Sequence, residues 1–346
     1  MTTGATHGPS EPVHRRLAML DGWRAISIAM VLAGHMLPLG PKTWEMNGSI
    51  AANGMAIFFS LSGFLIVSIL QRDADVVSFL VRRFARILPL AWLALLVAFT
   101  VKGADENLWL PNFLFYANLP PFFLVDWTSH YWSLDLEMQF YVAIAGTVAI
   151  IGRRGLLVIP ILALGVTALR IATGTEISIV TWLRVDEILA GGTLALVIHG
   201  YPAGWAARSM AALPFSPLLL LFLLSTRPEF GPLCYFRPYI TAMMVGITIL
   251  RSVWLSPVLL SRPAAYLAKI SYAVYIIHHF TLFGWLGSGQ GMAKYAKRPL
   301  SFLITFLLAH LSTFYFETLF TGWGHRITRA RNTPRHDPAQ FIGDRQ

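Results

Sequence analysis

The chain has 346 residues, of which 55% are hydrophobic and only 13% are charged. Soluble domains average about 25% charged residues, so this composition excludes an ordinary soluble protein and indicates a polytopic membrane protein. The net charge of +10 would suit a nucleic-acid partner, but no basic stripe with interleaved aromatic residues lies outside the apolar runs, and we expect no such partner.

The apolar runs predict an all-α fold of about ten transmembrane helices, because each run has the length that crosses a bilayer. In chain order, the runs are centred on residues 23–39, 50–70, 84–101, 131–151, 155–171, 178–199, 207–226, 233–255, 266–288 and 300–321. The stretch 108–125 is also apolar, but prolines break it, so we interpret it as an interfacial or re-entrant loop. In this prediction the membrane domain (15–325) lies between a flexible N-terminus (1–14) and a basic, disordered tail (326–346).

The distribution of basic residues predicts the orientation in the cytoplasmic (inner) membrane. With the N-terminus in the cytoplasm, most arginines between the predicted spans fall on the cytoplasmic side. An even number of spans then places the C-terminus in the cytoplasm as well. The loop 289–299 does not fit this distribution, because it would place Lys294, Lys297 and Arg298 outside the cytoplasm.

The first predicted span contains LDGWRAISIAMVLAGHM (20–36), whose charged residues are costly in lipid and are therefore candidates for function. Arg24 and His35 are eleven residues apart, close to three helical turns, so both lie on one face about 16 Å apart. Asp21 precedes Arg24 by three residues and can pair with it. Arginine suits a phosphate or carboxylate, and a neutral histidine suits general-base catalysis. The alternative is that His35 only packs between helices.

Three arginines, Arg82, Arg83 and Arg86, precede the third predicted span in VRRFARILP (81–89). Such a cluster anchors a span on the cytoplasmic side of the membrane. It also makes a good cradle for phosphate groups. The spacing alone leaves both interpretations open.

The stretch SHYWSLDLEMQFY (129–141) opens another predicted span with several polar side chains. His130, Glu137 and Tyr141 fall along one stripe of a helix, with Ser133 four residues before Glu137. Glu137 lies about two turns inside the span and needs a partner there. We expect it to orient a histidine or to take a substrate proton.

Two later spans also contain ionisable residues. In WLRVDEILAGG (182–192), Arg184 and Glu187 share a helix face and can neutralise each other, with Asp186 beside them. In SYAVYIIHH (271–279), adjacent His278 and His279 point to different faces, so we do not expect them to share a metal ion. Because the sequence also has no HExxH motif and no Cys/His cluster, we expect no metal site.

These motifs together resemble the acyltransferase family 3 membrane proteins, bacterial O-acyltransferases that modify surface sugars. The resemblance covers about residues 15–321. It includes the opening span LDGWRAISIAMVLAGHM, FFSLSGFLI (58–66), RRFARILPLAW (82–92), HYWSLDLEMQFY (130–141), RVDEILAGGTLA (184–195) and ISYAVYIIHH (270–279). Each motif is loose, but their order and spacing together are specific.

The resemblance implies an O-acyltransferase that moves an acyl group, expected to be acetyl, from acyl-CoA to a hydroxyl of a cell-surface or exported glycan or lipid-linked sugar. It assigns catalysis to His35, with support from Glu137 or Asp21, and it associates the donor acyl-CoA with Arg24, Arg83 and Arg86. The further active-site residues that it implies are His130, Trp132, Ser133, Arg184, Asp186 and His278. We expect no bound cofactor, and the sequence does not predict an oligomeric state.

Two features depart from the family. Thr318 and Leu319 follow Glu317 where the family often has Glu-Arg-Pro, which puts the role of Glu317 in doubt. Many relatives carry an extracytoplasmic esterase-like domain that this sequence does not contain, so we expect direct transfer or a separate partner. Two other functions remain compatible with the sequence: acyl transfer to a secreted small molecule such as a macrolide, and proton-coupled transport, although no inverted repeat is visible.

Overall fold

The computed structural model describes residues 11–201, 204–289 and 292–332, and the regular structure within these ranges is helical. The α-helices are α1 (Glu11–Met36), α2 (Met46–Arg72), α3 (Val76–Lys102), α4 (Glu106–Phe113), α5 (Trp132–Ile151), α6 (Ile159–Ala172), α7 (Asp186–Ile198), α8 (Gly204–Ala212), α9 (Phe215–Leu224), α10 (Leu233–Leu250), α11 (Ser256–Leu259), α12 (Arg262–Phe280), α13 (Gly284–Gly287), α14 (Met292–Tyr295), α15 (Arg298–Leu311) and α16 (Glu317–Asn332). A 3₁₀-helix (Asp126–Tyr131) precedes α5, and a π-helical turn (Ser312–Phe316) joins α15 to α16. The predicted all-α class is confirmed.

Within the described residues, six helical stretches are long and apolar enough to cross a membrane, and one bent pair of helices would be a seventh. The membrane character is therefore confirmed, whereas the count of about ten spans stays a prediction, as does the side on which the termini lie. The two counts differ partly because the stretch Asp126–Ala172 contains two of the predicted spans. In addition, α7 has 13 residues, fewer than the roughly 20 that a straight span needs. Between α3 and α5, the proline-broken segment forms only the 8-residue α4 and irregular backbone, as expected for a loop.

The apolar run 207–226 is not one continuous helix. It is divided between α8 and α9, whose axes are bent by 84°. Pro214 lies at the break, and proline disfavours a helical backbone in the residue before it and has no N–H to donate. The run therefore forms two short helices, and whether the pair crosses the membrane as one broken span stays a prediction.

Both predicted terminal segments are partly helical. The first helix, α1, begins at Glu11, inside the segment 1–14 that was expected to be flexible. The last helix, α16, continues to Asn332, so residues 326–332 of the predicted tail are helical. The rest of that tail, 333–346, lies outside the described residues.

Close contact between α2 and α7 forms the centre of the bundle. A Cβ atom at Gly63 would lie 1.8 Å from the carbonyl oxygen of Ile188, and one at Gly191 would lie 1.9 Å from that of Ser60. Small residues allow helix backbones to approach this closely, which is how membrane helices gain packing contacts. The close approach holds the buried polar residues on both helices in fixed positions.

The helix α1 lies between α2 and α12 and runs from Arg24 near one end of the bundle to His35 near the other. Gly34 packs against Ala51 near the start of α2, so α1 and α2 are antiparallel neighbours. We refer to the two ends of the bundle as the arginine end and the histidine end.

Candidate active site

A cavity lies within the bundle between α1, α2, α3, α5 and α12. Its wall on α1 extends from Arg24 through Ile28 to Val31. Because a helix turns every 3.6 residues, His35 lies about one turn beyond Val31 on the same side of α1. The other polar residues of the wall are Ser27, Ser62, Arg83, Arg86, Ser133, Glu137, Tyr141, Ser271, Tyr272 and Tyr275.

At the arginine end the cavity adjoins a more open space, which we call the arginine vestibule, and shares Arg24, Arg83 and Arg86 with it. Asp21 and Arg24 form an ion pair at 3.0 Å, as their spacing predicted. The other ionisable residues of the vestibule are Asp73, Asp75, Arg82, Lys269, Glu317 and His325. Arginine and lysine outnumber carboxylates here, so the vestibule suits phosphate groups.

Glu137 lies in the middle part of the cavity wall and is 5% exposed. Its Oε1 accepts hydrogen bonds from Ser62 Oγ and Tyr141 Oη, both at 2.6 Å. The expected stripe on α5 therefore holds for Glu137 and Tyr141. The recorded partners of Glu137 are hydroxyl groups, and none of them is a histidine.

Tyr275 and Ser133 line the cavity on the side of the histidine end. The Tyr275 hydroxyl donates to the backbone carbonyl of His130 at 2.6 Å and lies 2.5 Å from Ser133 Oγ. Because the Tyr275 hydroxyl already donates its proton to that carbonyl, the Ser133 hydroxyl donates to the Tyr275 oxygen. The ring of Tyr275 also contacts those of His130 and His278, at 5.8 and 5.7 Å between centres. The cavity thus adjoins a group of histidines.

The hydrogen bonds of His278 fix the tautomer of His35. His278 Nδ1 lies 2.7 Å from the carbonyl oxygen of Tyr275, which can only accept, so Nδ1 carries the proton and Nε2 is an acceptor. His278 Nε2 lies 2.9 Å from His35 Nδ1, which must therefore donate. This leaves Nε2 of His35 with a free lone pair on an exposed side chain. The partner of His35 is thus His278, while Asp21 lies about 21 Å away along α1.

The same histidines could bind a metal ion. His35, His278 and His279 each place one ring nitrogen within 4.8 Å of the other two. His278 and His279 are adjacent in the sequence, yet His35 approaches both of them, with ring centres at 5.2 and 6.0 Å, so the geometry permits the shared ion that the sequence did not predict. A metal would have to displace the proton between His35 and His278. The absence of a metal stays a prediction.

Arg184 and Asp186, by contrast, belong to a buried ion network that is separate from the cavity wall. Arg184 pairs with Glu187 at 3.2 Å, as predicted, and its guanidinium lies over the ring of Trp132 at 5.7 Å. Asp186 pairs with Arg170 at 2.5 Å. Sequence reasoning overlooked Arg170 and also Arg237, Ser62 and Tyr275. A complete search for arginines within the apolar runs would have found Arg170 and Arg237.

The sequence of the chain is similar to those of several known proteins. A family model described as an acyltransferase domain matches residues 17–322. A presumptive O-acetyltransferase of Staphylococcus aureus (strain COL) is 24% identical over 95% of this chain and 60% of its own length. The peptidoglycan O-acetyltransferase OatA of Listeria monocytogenes serovar 1/2a (strain ATCC BAA-679 / EGD-e) is 24% identical over 75% of this chain and 48% of its own length. A presumptive peptidoglycan O-acetyltransferase, YrhL, of Bacillus subtilis (strain 168) is 26% identical over 90% of this chain and 56% of its own length. The chain thus spans about half to three fifths of these relatives, and no solved structure matches it.

Proposed function

The chain belongs to the acyltransferase 3 family of membrane proteins, and from this premise we propose that it transfers an acetyl group from acetyl-CoA to a hydroxyl of an exported glycan. The names of the relatives support acetyl as the group and a glycan such as peptidoglycan as the acceptor. The arginine vestibule supports a CoA thioester as donor, because CoA carries phosphates at the end opposite to its reactive carbon. We place the vestibule in the cytoplasm, where CoA is found.

One observation carries the mechanism: the free Nε2 of His35 lies one turn beyond a cavity that begins at Arg24, Arg83 and Arg86. In this proposal the phosphates of the donor bind these arginines, and the rest of the donor follows the cavity wall on α1. The thioester then lies near Tyr275, next to the histidines. The ion pair with Asp21 positions Arg24 for this contact.

The acetyl transfer follows from the tautomer of His35. A sugar hydroxyl gives its proton to Nε2 of His35 while its oxygen attacks the thioester carbonyl, forming a C–O bond. The tetrahedral intermediate collapses by breaking the C–S bond, and the CoA thiolate takes the proton back from His35. The hydrogen bond to His278 holds the imidazole in position and stabilises its charged form.

The test is transfer of labelled acetyl from acetyl-CoA to glycan by the purified full chain and its variants. His35→Ala should lower turnover by roughly 10²–10⁴-fold, as expected for loss of a general base, and should retain acetyl-CoA binding, because the arginines are unchanged. His310→Ala is the matched control, since this histidine is 3.0 Å from Tyr266 on the outer part of the bundle and not in the cavity wall. Transfer at the parent rate by a folded His35→Ala variant would show that His35 only packs between helices.

A further inference from the structure

Five buried ionisable side chains form a network beside α7 that the proposed mechanism does not use. Arg170, Arg184, Asp186, Glu187 and Arg237 are all at most 1% exposed. Ionised groups are expensive to bury unless each is paired. Here three arginines face two carboxylates, so the network carries one positive charge in excess.

The excess charge lies on Arg184 and Arg237, the two arginines that share Glu187. Arg170 is satisfied, because Asp186 accepts from it at 2.5 Å and the carbonyls of Thr175 and Glu176 accept from its other nitrogens. Glu187 is shared between Arg184 at 3.2 Å and Arg237 at 2.8 Å. Arg237 uses only Nε in that contact, and neither of its Nη atoms has a hydrogen-bond partner among the described residues. Arg184 likewise leaves Nε and Nη1 without a partner there, but of these two arginines only Arg237 lines a pocket. A buried donor without an acceptor costs about 1–3 kcal/mol, and more when it is charged.

Arg237 forms part of the wall of a separate pocket at the histidine end, which we call the Arg237 pocket. Ser49 and Ala52 near the start of α2 form one side of it, and the loop with Thr226 forms another. Two exposed carboxylates, Glu45 and Glu176, also line it, but the recorded ion pair of Arg237 is with Glu187. A buried guanidinium with open donors suits an anion, while the hydroxyls and outer carboxylates suit the hydroxyls of a sugar.

We infer that the Arg237 pocket binds the carboxylate or phosphate of an anionic glycan, which supplies the negative charge that the network lacks. This inference rests on the proposed function in one respect: it makes the anionic glycan the acceptor substrate. The pocket and His35 lie at the same end of the bundle, so a glycan chain held there extends along the same surface as the base. An anionic sugar would then be a better acceptor than a neutral one.

The experiment measures sugar binding to the purified full chain in an uncharged detergent, without acetyl-CoA, by calorimetric titration at constant ionic strength. The probes are glucuronate, glucose 1-phosphate and glucose. We expect at least one of the two anionic probes to bind at least tenfold more tightly than glucose, and Arg237→Gln to remove that difference. Preference for glucuronate would identify a carboxylate, and preference for glucose 1-phosphate a phosphate. Equal affinity for all three probes, or an unchanged preference in Arg237→Gln, would overturn the inference.

Controls separate this site from the rest of the protein. Arg237→Gln leaves two arginines and two carboxylates in balance and should fold, whereas Arg170→Gln leaves Asp186 unpaired and should lower thermal stability.

Gly48→Leu fills the pocket without altering any charge, since no atom lies within 4 Å of a Cβ there, and should weaken binding of the anionic probes as well. If Arg237→Gln does not fold, Gly48→Leu provides the test instead, because unchanged binding of the anionic probes by this variant would exclude the pocket. Arg83→Gln should retain the preference for an anionic probe over glucose, which would show that the titration does not measure binding in the arginine vestibule. Since no donor is present, the result does not depend on acetyl transfer.

Discussion

At the residue scale, the reactive form of His35 is set by a carbonyl oxygen on another helix. The Tyr275 carbonyl fixes the proton of His278, and His278 fixes the proton of His35. Nε2 of His35 is thereby left unprotonated and facing away from its partner. In the proposed mechanism His278 is a positioning residue, because it would act on the substrate only through His35.

The role of His278 can be tested by comparing two substitutions. His278→Leu removes the acceptor of the His35 Nδ1–H bond, and we expect kcat to fall by about 10–100-fold, the usual cost of losing an orienting partner. The KM for acetyl-CoA should not change, since the arginines are intact. His278→Gln offers an amide oxygen as acceptor and should recover part of kcat. Equal losses in both variants, or a loss confined to KM, would contradict a positioning role.

Arg83 and Arg86 allow a test of phosphate binding against simple membrane anchoring. Lysine preserves the charge that sets topology but cannot form the bidentate contacts of arginine with phosphate. The double variant Arg83→Lys, Arg86→Lys should therefore insert normally and raise the Kd for acetyl-CoA by about tenfold or more, since each lost charge-assisted contact costs about 1.5–3 kcal/mol. Arg154→Lys, outside the vestibule, is the matched control. Unchanged binding by the double variant would show that these arginines are anchors only.

What the sequence could predict at this scale depended on distance along the chain. The pairs Asp21–Arg24 and Arg184–Glu187 are three residues apart, so helical geometry alone predicted both. His35 and His278 are 243 positions apart, and only the packing of α1 on α12 brings them together. Arg237 and Glu187, 50 positions apart, meet through the packing of α10 on α7. Residue spacing contains no information on such contacts.

At the element scale, the contact between α2 and α7 determines where the polar residues of both helices lie. The run lengths predicted most helices, because a bilayer requires a minimum apolar length. They did not predict that α8 and α9 are separate or that α15 and α16 meet at a π-helical turn. Such breaks depend on single residues such as Pro214 and on contacts with neighbouring helices. The mean hydropathy of a stretch of residues does not resolve these effects.

A substitution at Gly63 tests this contact. Gly63→Ala places a methyl group 1.8 Å from the Ile188 carbonyl, so α2 and α7 must separate, and we expect a loss of about 1–3 kcal/mol in stability. Thermal unfolding in detergent, followed by the fraction of monodisperse protein, measures the change. Gly146→Ala on α5 is the matched control, because a Cβ there meets no atom within 4 Å. If the Gly63→Ala variant melted at the same temperature as the Gly146→Ala variant, the helices would not be in backbone contact.

At the scale of the whole molecule, the two ends of the bundle differ in chemistry. The arginine vestibule occupies one end, and the histidines and the Arg237 pocket occupy the other. The cavity along α1 extends from the arginine vestibule to Val31, about one helical turn short of His35. A membrane enzyme that takes its donor from the cytoplasm and its acceptor from the opposite side requires this separation of sites. The family match favours group transfer over the transporter alternative.

The orientation of these ends can be tested with single cysteines, because the native chain has only Cys234, which is buried. In a Cys234→Ser background, Lys42→Cys marks the histidine end and Asp73→Cys marks the arginine end, since both positions are exposed between helices. A membrane-impermeant maleimide should label position 42 in cells with an intact cytoplasmic membrane, and position 73 only after that membrane is permeabilised. This result would place the vestibule where CoA is available and the free Nε2 of His35 where exported glycans pass. Labelling in the reverse order would place Arg24, Arg83 and Arg86 on the side without CoA, and transfer from acetyl-CoA along this cavity would then be excluded.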